Sequence, residues 1–188
     1  MEIIKVRHSA GEYNIYAGGG ILNTAIGDFV TAHKDRYDRV FIVSDSNVFP
    51  IYGELLHRIF VKYGVEPVGE YAFEAGEKSK TLATVADIYK QFAASRLTRK
   101  SLAVALGGGV CGDMVGFAAA TYLRGIDILQ IPTTLLSQID SSIGGKTGVD
   151  LDIGKNLVGA FWQPVAVIAD SDFLKTLPER YLRDGMGE

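Results

Sequence analysis

The chain has 188 residues, 47% of them hydrophobic, and a formal net charge of −3 at pH 7. This length predicts one globular domain with a sizeable core. The mild acidity gives no general attraction to nucleic acid or anionic lipid, no apolar run is long enough for a membrane span, and residues 1–6 lack the layout of a signal peptide. The single cysteine, Cys111, excludes an internal disulfide and is typical of a cytoplasmic protein.

Hydrophobic periodicity along the chain predicts strands that alternate with helices. Residues 2–8 and 12–17 have the composition of two strands and predict an N-terminal β-hairpin. The pattern then predicts, in chain order, an amphipathic segment 21–32, strand 39–44, helix 49–63, strand 66–73, helix 81–95, strand 101–106, helix 110–122, strand 126–131, helix 135–142 and strand 165–169. Such alternation favours βαβ units. We therefore predict a single α/β domain over residues 1–188, with a doubly wound, mostly parallel, Rossmann-like sheet.

The segment 144–164 interrupts this alternation. It is rich in glycine and polar residues, and it shows no clear period. Loops of this length in compact domains are usually functional or disordered, and apolar residues near its end, such as Phe161 and Trp162, argue against disorder. We therefore expect a long functional loop.

The glycine-rich turn after strand 101–106 is the strongest candidate for a ligand site. Gly107, Gly109 and Gly112 match the G-x-G-x-x-G spacing. Glycines let the backbone approach a ligand, and the free amides of a first helical turn bind anions. An ordinary Rossmann fingerprint needs an acidic residue about 20 positions later, at the end of a strand. Asp127 near that offset opens a strand, so Asp45, which ends strand 39–44, is the better candidate.

Further polar side chains lie at or just after the ends of predicted strands, where ligands of doubly wound folds bind. The whole set is Asp45, Glu77, Lys80, Asp113, Thr133, Thr134, Lys146, Lys155 and Asn156. Each one alone has a structural explanation, since a threonine can cap a helix and a lysine can be solvated surface charge. Their coincidence at one edge of the predicted sheet favours a shared site.

Five segments together resemble the 3-dehydroquinate synthase family. They are GGVCGD (108–113), YLRG (122–125), IPTTLL (131–136), DSSIGGKTGV (140–149) and GKNLVGAF (154–161). The resemblance covers essentially the whole chain, in order. It implies a shikimate-pathway lyase that uses NAD and a divalent metal, zinc or cobalt, to convert 3-deoxy-D-arabino-heptulosonate 7-phosphate into 3-dehydroquinate and phosphate.

The resemblance also assigns residues to the site, motif by motif. The implied NAD contacts are Asp45, Glu77, Lys80, Gly109, Val110, Cys111, Gly112, Asp113, Thr133, Thr134, Lys146, Lys155, Phe173, Leu174, Lys175 and Thr176. The implied substrate and catalytic contacts are Asp140, Lys146, Lys155, Asn156 and Arg124. Arg124 would reach into a neighbouring subunit's site, which implies a homodimer. Glu188 corresponds to the glutamate that binds the metal.

The metal site is incomplete within these residues. Catalytic zinc normally takes three protein ligands, and none of His8, His33 and His57 matches a family ligand. We therefore expect an NAD-binding domain that lacks the family's C-terminal helical domain, is inactive alone, and self-associates through exposed apolar surface. Three alternatives stay open: a related sugar-phosphate cyclase that makes cyclitols, a metal-dependent polyol dehydrogenase, and a non-catalytic dinucleotide-binding module.

Overall fold

The structure is a computed structural model, and it describes residues 1–187. Its nine strands are β1 (Glu2–His8), β2 (Gly11–Gly18), β3 (Val40–Asp45), β4 (Gly69–Phe73), β5 (Leu102–Gly107), β6 (Asp127–Pro132), β7 (Lys146–Leu151), β8 (Gly154–Phe161) and β9 (Ala166–Asp170). Seven of them form one sheet in the order β1-β2-β9-β6-β5-β3-β4. The β1–β2 pair is the predicted antiparallel hairpin, and the other neighbours in this sheet are parallel.

The α-helices are α1 (Leu22–Ala32), α2 (Phe49–Lys62), α3 (Leu82–Ala94), α4 (Gly109–Thr121) and α5 (Glu179–Gly185). Short 3-10 turns cover Glu77–Ser79, Tyr122–Arg124 and Ser171–Thr176. Among the residues described, none of the helices combines the length and the apolar character that a membrane span requires.

Helices cover both faces of the large sheet. Alternate residues of a strand point to opposite faces, so Val40 and Ile42 of β3 pack with α1 and α2, while Phe41 and Val43 pack with α3 and α4. A strand buried on both faces needs a continuous apolar run, which 102–106 supplies. The predicted α/β fold with a doubly wound, mostly parallel sheet is confirmed.

One predicted element is wrong, and another is helical as predicted but differs in its hydrogen bonding. Segment 144–164 is not a long loop, because β7 and β8 form an antiparallel hairpin that packs on α4 and buries Val149 completely. The predicted helix 135–142 is mostly a single π-helical turn, Ser137–Ser141, in which the amide of Ser142 donates to the carbonyl of Ser137 (3.2 Å). This turn and the hairpin flank the N-terminal end of α4.

Candidate functional site

The first turn of α4 follows the carboxyl end of β5 and offers free backbone donors. The amide of Gly112 donates to the carbonyl of Gly108 (3.0 Å), which starts the helical hydrogen bonding. The amides of Gly109, Val110 and Cys111 come before that first bond, and within residues 1–187 they have no acceptor. Together with the helix dipole, these donors favour an anion at this point.

Close packing explains why this turn is made of glycine. A Cβ at Gly108 would lie 3.0 Å from Cγ2 of Thr134, and a Cβ at Gly109 would lie 2.9 Å from Oγ of Ser141. The hydroxyls of Ser141 and Thr133 are buried, and neither has a hydrogen-bond partner in the described part of the chain. A buried hydroxyl without a partner is unfavourable, so a polar ligand at this turn would fit the residues around it.

Asp45 and Cys111 take different roles beside the turn. Oδ1 of Asp45 accepts from the amides of Asn47 (2.9 Å) and Val48 (3.0 Å), and Oδ2 lies 3.2 Å from the place of a Cβ at Gly107. Oδ2 can therefore accept from a ligand. The thiol of Cys111 is buried, and burial raises its pKa well above the ordinary range. Only the backbone of Cys111 is available to a ligand.

The hydroxyl of Thr134 forms hydrogen bonds within its own turn of the chain. Its Oγ1 accepts from the amide of Ser137 (3.2 Å) and lies 2.8 Å from the Ser137 hydroxyl, so its side chain holds the start of the π-helical turn. The capping explanation that sequence reasoning left open therefore applies to Thr134, whereas the Thr133 hydroxyl has no such partner among residues 1–187.

A buried cation connects the glycine turn to the β7–β8 hairpin. Nζ of Lys80 lies 2.6 Å from Oδ2 of Asp113 and donates to Oδ1 of Asn156 at 2.6 Å. The Lys80 side chain is only 6% exposed, so the alternative of a solvated surface charge is wrong for this residue. Burial raises the pKa of Asp113, the Lys80 ammonium partly offsets this, and the carboxylates of Glu77 and Asp150 add to the rise.

Asn156 is held in an uncommon backbone conformation. Its φ is 55°, in the left-handed region, and its amide donates to Oδ1 of Asp150 (2.7 Å). The amide of Asp150 in turn donates to the carbonyl of Lys80 (2.8 Å). Sequence reasoning missed Asp150 and Ser141. Ser141 lies inside a recognised motif, whereas nothing in the local pattern singles out Asp150.

An exposed ion pair lies next to the buried contacts of Lys80 with Asp113 and Asn156, which we call the Lys80 network. Nζ of Lys155 is 2.9 Å from Oε1 of Glu77, and this hydrogen bond raises the pKa of Lys155. Sequence reasoning placed both residues in the site, and the structure brings them into contact.

A cavity of about 580 Å³ opens between α4, the π-helical turn and the hairpin. Its polar lining includes Asp113, Asp140, Ser141, Lys146, Thr147 and Asn156, and its apolar lining includes Leu157 and Phe161. The size is that of a small-molecule site. A carboxylate, a lysine and an amide facing one cavity suit a hydroxylated, anionic ligand.

The remaining predicted residues lie elsewhere. Phe173, Leu174, Lys175 and Thr176 form the turn after β9, where Phe173 packs on the Tyr52 ring at 4.7 Å and Thr176 Oγ1 is 2.7 Å from the Tyr52 hydroxyl. Arg124 is exposed beyond the C-terminal end of α4, about 20 Å from the glycine turn by helix length. Neither group lines the cavity.

The described residues do not make a metal centre. Within residues 1–187, no three His, Cys, Asp or Glu side chains are grouped so that they could hold an ion. His57 instead contacts Glu70 at 2.7 Å, and Nδ1 of His33 lies 2.9 Å from the Phe29 carbonyl. Glu188, the predicted metal ligand, lies outside the described residues.

Comparison with known proteins gives relatives for the whole chain. Residues 70–184 match the family model described as 3-dehydroquinate synthase N-terminal. A curated 3-dehydroquinate synthase of Clostridium acetobutylicum is 50% identical over 188 residues, which are 100% of this chain and 52% of the relative. Another, of Pseudomonas entomophila, is 46% identical and is matched over 50% of its length. The chain thus spans about half the length of these curated relatives.

Solved structures share the fold. A 2-deoxy-scyllo-inosose synthase complexed with carbaglucose-6-phosphate, NAD+ and Co2+ matches 98% of this chain and 49% of its own, with a TM-score of 0.90 at 32% identity. ValA, the 2-epi-5-epi-valiolone synthase of Streptomyces hygroscopicus solved with NAD+ and Zn2+ bound, matches 99% of this chain and 50% of its own, with a TM-score of 0.81 at 31% identity. The family model covers more than half of the chain, and the chain therefore belongs to the 3-dehydroquinate synthase family.

Proposed function

We propose that this chain is the NAD-binding half of a 3-dehydroquinate synthase, which converts 3-deoxy-D-arabino-heptulosonate 7-phosphate into 3-dehydroquinate and phosphate. The proposal depends above all on the 50% identity, over the whole chain, with a protein named for that activity. The enzyme would be a phosphate-eliminating carbon–oxygen lyase of aromatic amino acid biosynthesis. The single buried cysteine is compatible with the reducing cytoplasm, where we propose that it works.

The residues around the glycine turn suit NAD. The free amides of Gly109, Val110 and Cys111 would bind the pyrophosphate, with the unpartnered hydroxyl of Thr133 as a further donor. Oδ2 of Asp45 would accept from a ribose hydroxyl. When bound, NAD supplies reversible oxidation of a substrate carbinol, which makes the neighbouring C–H more acidic.

Side chains of the cavity would bind the substrate and its leaving phosphate. Lys146 offers a cation with no anionic partner among residues 1–187. Because Lys80 donates to Oδ1 of Asn156, the amide group of Asn156 keeps its N–H donors for a ligand. Positioned donors stabilise negative charge that develops on a departing phosphate, and the Asp140 carboxylate can orient substrate hydroxyls.

The Glu77–Lys155 pair and the turn after β9 would lie beside the cofactor. Lys155 and Asn156 are adjacent on β8, so the exposed pair lies next to the buried Lys80 network. We propose that Glu77, Lys80 and Lys155 line the nicotinamide side, and that Phe173–Thr176 contact the other end of the dinucleotide.

Two parts of the proposed enzyme are not found among residues 1–187 of a single chain. A divalent metal does not fit the described residues, since they contain no three-ligand group, and we derive no step through it. Arg124 is far from the cavity of its own chain, so we propose a homodimer in which it serves the neighbouring subunit. We expect the 188-residue polypeptide alone to release no phosphate from the substrate.

A related sugar-phosphate cyclase is the second candidate, because a 2-deoxy-scyllo-inosose synthase has a TM-score of 0.90 with this chain. Its sequence identity is 32%, compared with 50% for the named 3-dehydroquinate synthase. The higher identity favours the first candidate.

Cofactor binding can be tested on the chain itself. Calorimetric titration with NAD should show one saturable site, and Thr133→Val should weaken the affinity about 5- to 10-fold, because one buried hydrogen bond is lost. Thr31→Val, which removes a hydroxyl that bonds within α1, is the matched control and should leave the affinity unchanged. Absence of saturable NAD binding by the unmodified chain would refute the preformed cofactor site.

The reaction can be tested on a fusion of this chain with the remaining half of the Clostridium acetobutylicum relative. With NAD and zinc, the fusion should release phosphate from the heptulosonate phosphate without net NADH, and Lys146→Met should lower the rate at least about 100-fold. A preference for a hexose or heptose phosphate would support the second candidate. Net NADH from a simple polyol would instead indicate a dehydrogenase.

A further inference from the structure

The turn that joins α4 to β6 has an unfavourable backbone. Leu123, Arg124 and Gly125 all have positive φ, at 52°, 68° and 125°. The left-handed region is costly for leucine and arginine, and such conformations persist only where the surroundings determine them. Leu123 is 42% exposed and Arg124 is exposed too, so their own side chains contribute little packing that could hold the turn.

Trp162, which follows β8, packs against this turn and forms a hydrogen bond beside it. A Cβ at Gly125 would lie 2.5 Å from Cη2 of the indole, so the ring packs directly against the turn. Nε1 of Trp162 donates to the carbonyl of Ile126 at 2.9 Å. The indole therefore fixes the backbone immediately after Arg124.

The same residue also fixes the loop that precedes Lys146. The backbone amide of Trp162 donates to the carbonyl of Gly145 (2.7 Å), and Gly145 itself has a φ of 71°. The neighbouring Gln163 donates from Nε2 to the carbonyl of Gly144 (3.0 Å). Lys146, at the cavity, is the first residue of β7 after that loop and pairs with Phe161 across the hairpin.

We infer that Trp162 is a positioning residue that couples the Arg124 turn to the Lys146 loop. The indole contacts the first segment and the backbone amide of the same residue contacts the second, so one residue can transmit a displacement of either segment to the other. The inference rests on the proposed function only where that function assigns Lys146 and Arg124 to substrate. The coupling itself is a property of the fold and can be measured without any ligand.

Hydrogen exchange of the 188-residue chain tests the coupling in both directions. Gly125→Ala places a methyl against the indole and should speed exchange of the amides in 144–147 as well as in its own turn. Gly145→Ala should speed exchange in 123–126. We expect changes of about 3- to 10-fold, the size expected for one lost hydrogen bond. If each variant affects only its own segment, the coupling is refuted.

Two variants act as matched controls. Gly64→Ala also introduces a side chain at a positive φ, +81°, but no atom lies within 4 Å of the added Cβ, so neither segment should respond. Tyr89→Phe removes a hydroxyl that lies 2.6 Å from Thr121 Oγ1, at the end of α4 and outside both segments, so again neither segment should respond. If Gly125→Ala prevents folding, Trp162→Phe keeps an aromatic ring but removes the Nε1 donor and part of the indole that packs against the turn. It should then speed exchange in both segments.

Binding of inorganic phosphate gives a readout that a purely structural role would not change. Gly125→Ala lies outside the cavity, yet it should weaken phosphate affinity about 3- to 10-fold by displacing Lys146, while Gly64→Ala should not. An unchanged phosphate Kd in folded Gly125→Ala would overturn the inference. If the unmodified chain binds no phosphate, the proposed anion site is refuted, and the exchange result alone decides the coupling.

Discussion

Lys80 is the buried cation of the candidate site. Lysine is rarely buried without a partner, and here the ammonium group contacts both the Asp113 carboxylate and the Asn156 amide oxygen. Removing one partner of a buried ion pair leaves an uncompensated charge, which is more unfavourable than losing an exposed pair. Motif resemblance places Lys80 in the site, but its burial results from the hairpin that closes over it.

Lys80→Met should therefore lower the free energy of unfolding by about 2–3 kcal/mol at pH 7. This loss is at the lower end of what is expected for breaking a buried ion pair, because the Asp113 side chain stays partly exposed. Urea denaturation measures this change. Lys155→Met, which breaks the exposed pair with Glu77, is the matched control and should leave the urea midpoint unchanged. Equal effects of both variants would show that the Lys80 contact is solvated.

The same variant has a pH signature with a definite sign. The folded pKa of Asp113 already lies above its ordinary value of 3.8, and loss of the Lys80 ammonium raises it further. The folded state then holds the proton more tightly than the unfolded state, so the variant regains stability as the pH falls through the raised pKa towards 3.8. The stability difference from the unmodified chain should shrink between pH 7 and pH 4.

At the scale of elements, the segments with a regular hydrophobic period were predictable from the sequence, and the β7–β8 hairpin was not. Helix 49–63 and strand 101–106 are found at Phe49–Lys62 and Leu102–Gly107, because each buries a regular set of apolar residues. Strand β8 is largely exposed and contains glycines, so it shows neither clear alternation nor strand propensity. Gly148 and Gly159 pair across the hairpin, and a Cβ at Gly159 would overlap the Thr147 carbonyl. Close backbone approach, which a sequence does not display, explains those glycines.

The contact between α4 and β7 makes a second prediction. Alanine in place of glycine normally stabilises a helix by about 1 kcal/mol. At Gly116 the added methyl would overlap Cγ2 of Thr147, so we expect Gly116→Ala to lower the free energy of unfolding by about 1–2 kcal/mol in total.

A second substitution isolates the cause. Thr147→Ser removes Cγ2 and keeps the hydroxyl that donates to the Ala160 carbonyl (2.7 Å), so Gly116→Ala with Thr147→Ser should regain most of the loss. Urea denaturation of the two single variants and the double variant forms a complete cycle. A stabilised Gly116→Ala variant would mean that the hairpin does not pack this closely on α4.

At the scale of the whole molecule, the topology gathers most of the site. The carboxyl ends of β3, β5 and β6 are neighbours in the sheet, and they bring Asp45, the glycine turn and Thr133 together. This convergence was predictable, because parallel strands place their ends at one edge. The closure of the cavity was not, since it depends on contacts such as Lys80 with Asn156 that lie 76 residues apart and follow no local pattern.

The hairpin also leaves an apolar surface beside that cavity. Phe161 is 82% exposed and Leu157 is 57% exposed, while Ile153, at the opposite end of the hairpin, is 85% exposed. Leu157 and Phe161 line the cavity, so the apolar surface and the candidate site are continuous. A monomeric soluble protein rarely exposes a large contiguous apolar patch, and such a patch usually marks a contact with another surface.

We therefore expect the isolated 188-residue chain to self-associate, with a sedimentation coefficient that increases with loading concentration. Phe161→Glu should reduce the association, because a carboxylate on this surface would have to lose its hydration in the contact. Val61→Glu, at a position on α2 that is 42% exposed, adds the same charge away from the hairpin and should leave the association unchanged. If both variants dissociate the chain equally, net charge controls the association. A sedimentation coefficient that stays at the monomer value at every loading concentration would show that this apolar surface does not bind a second copy.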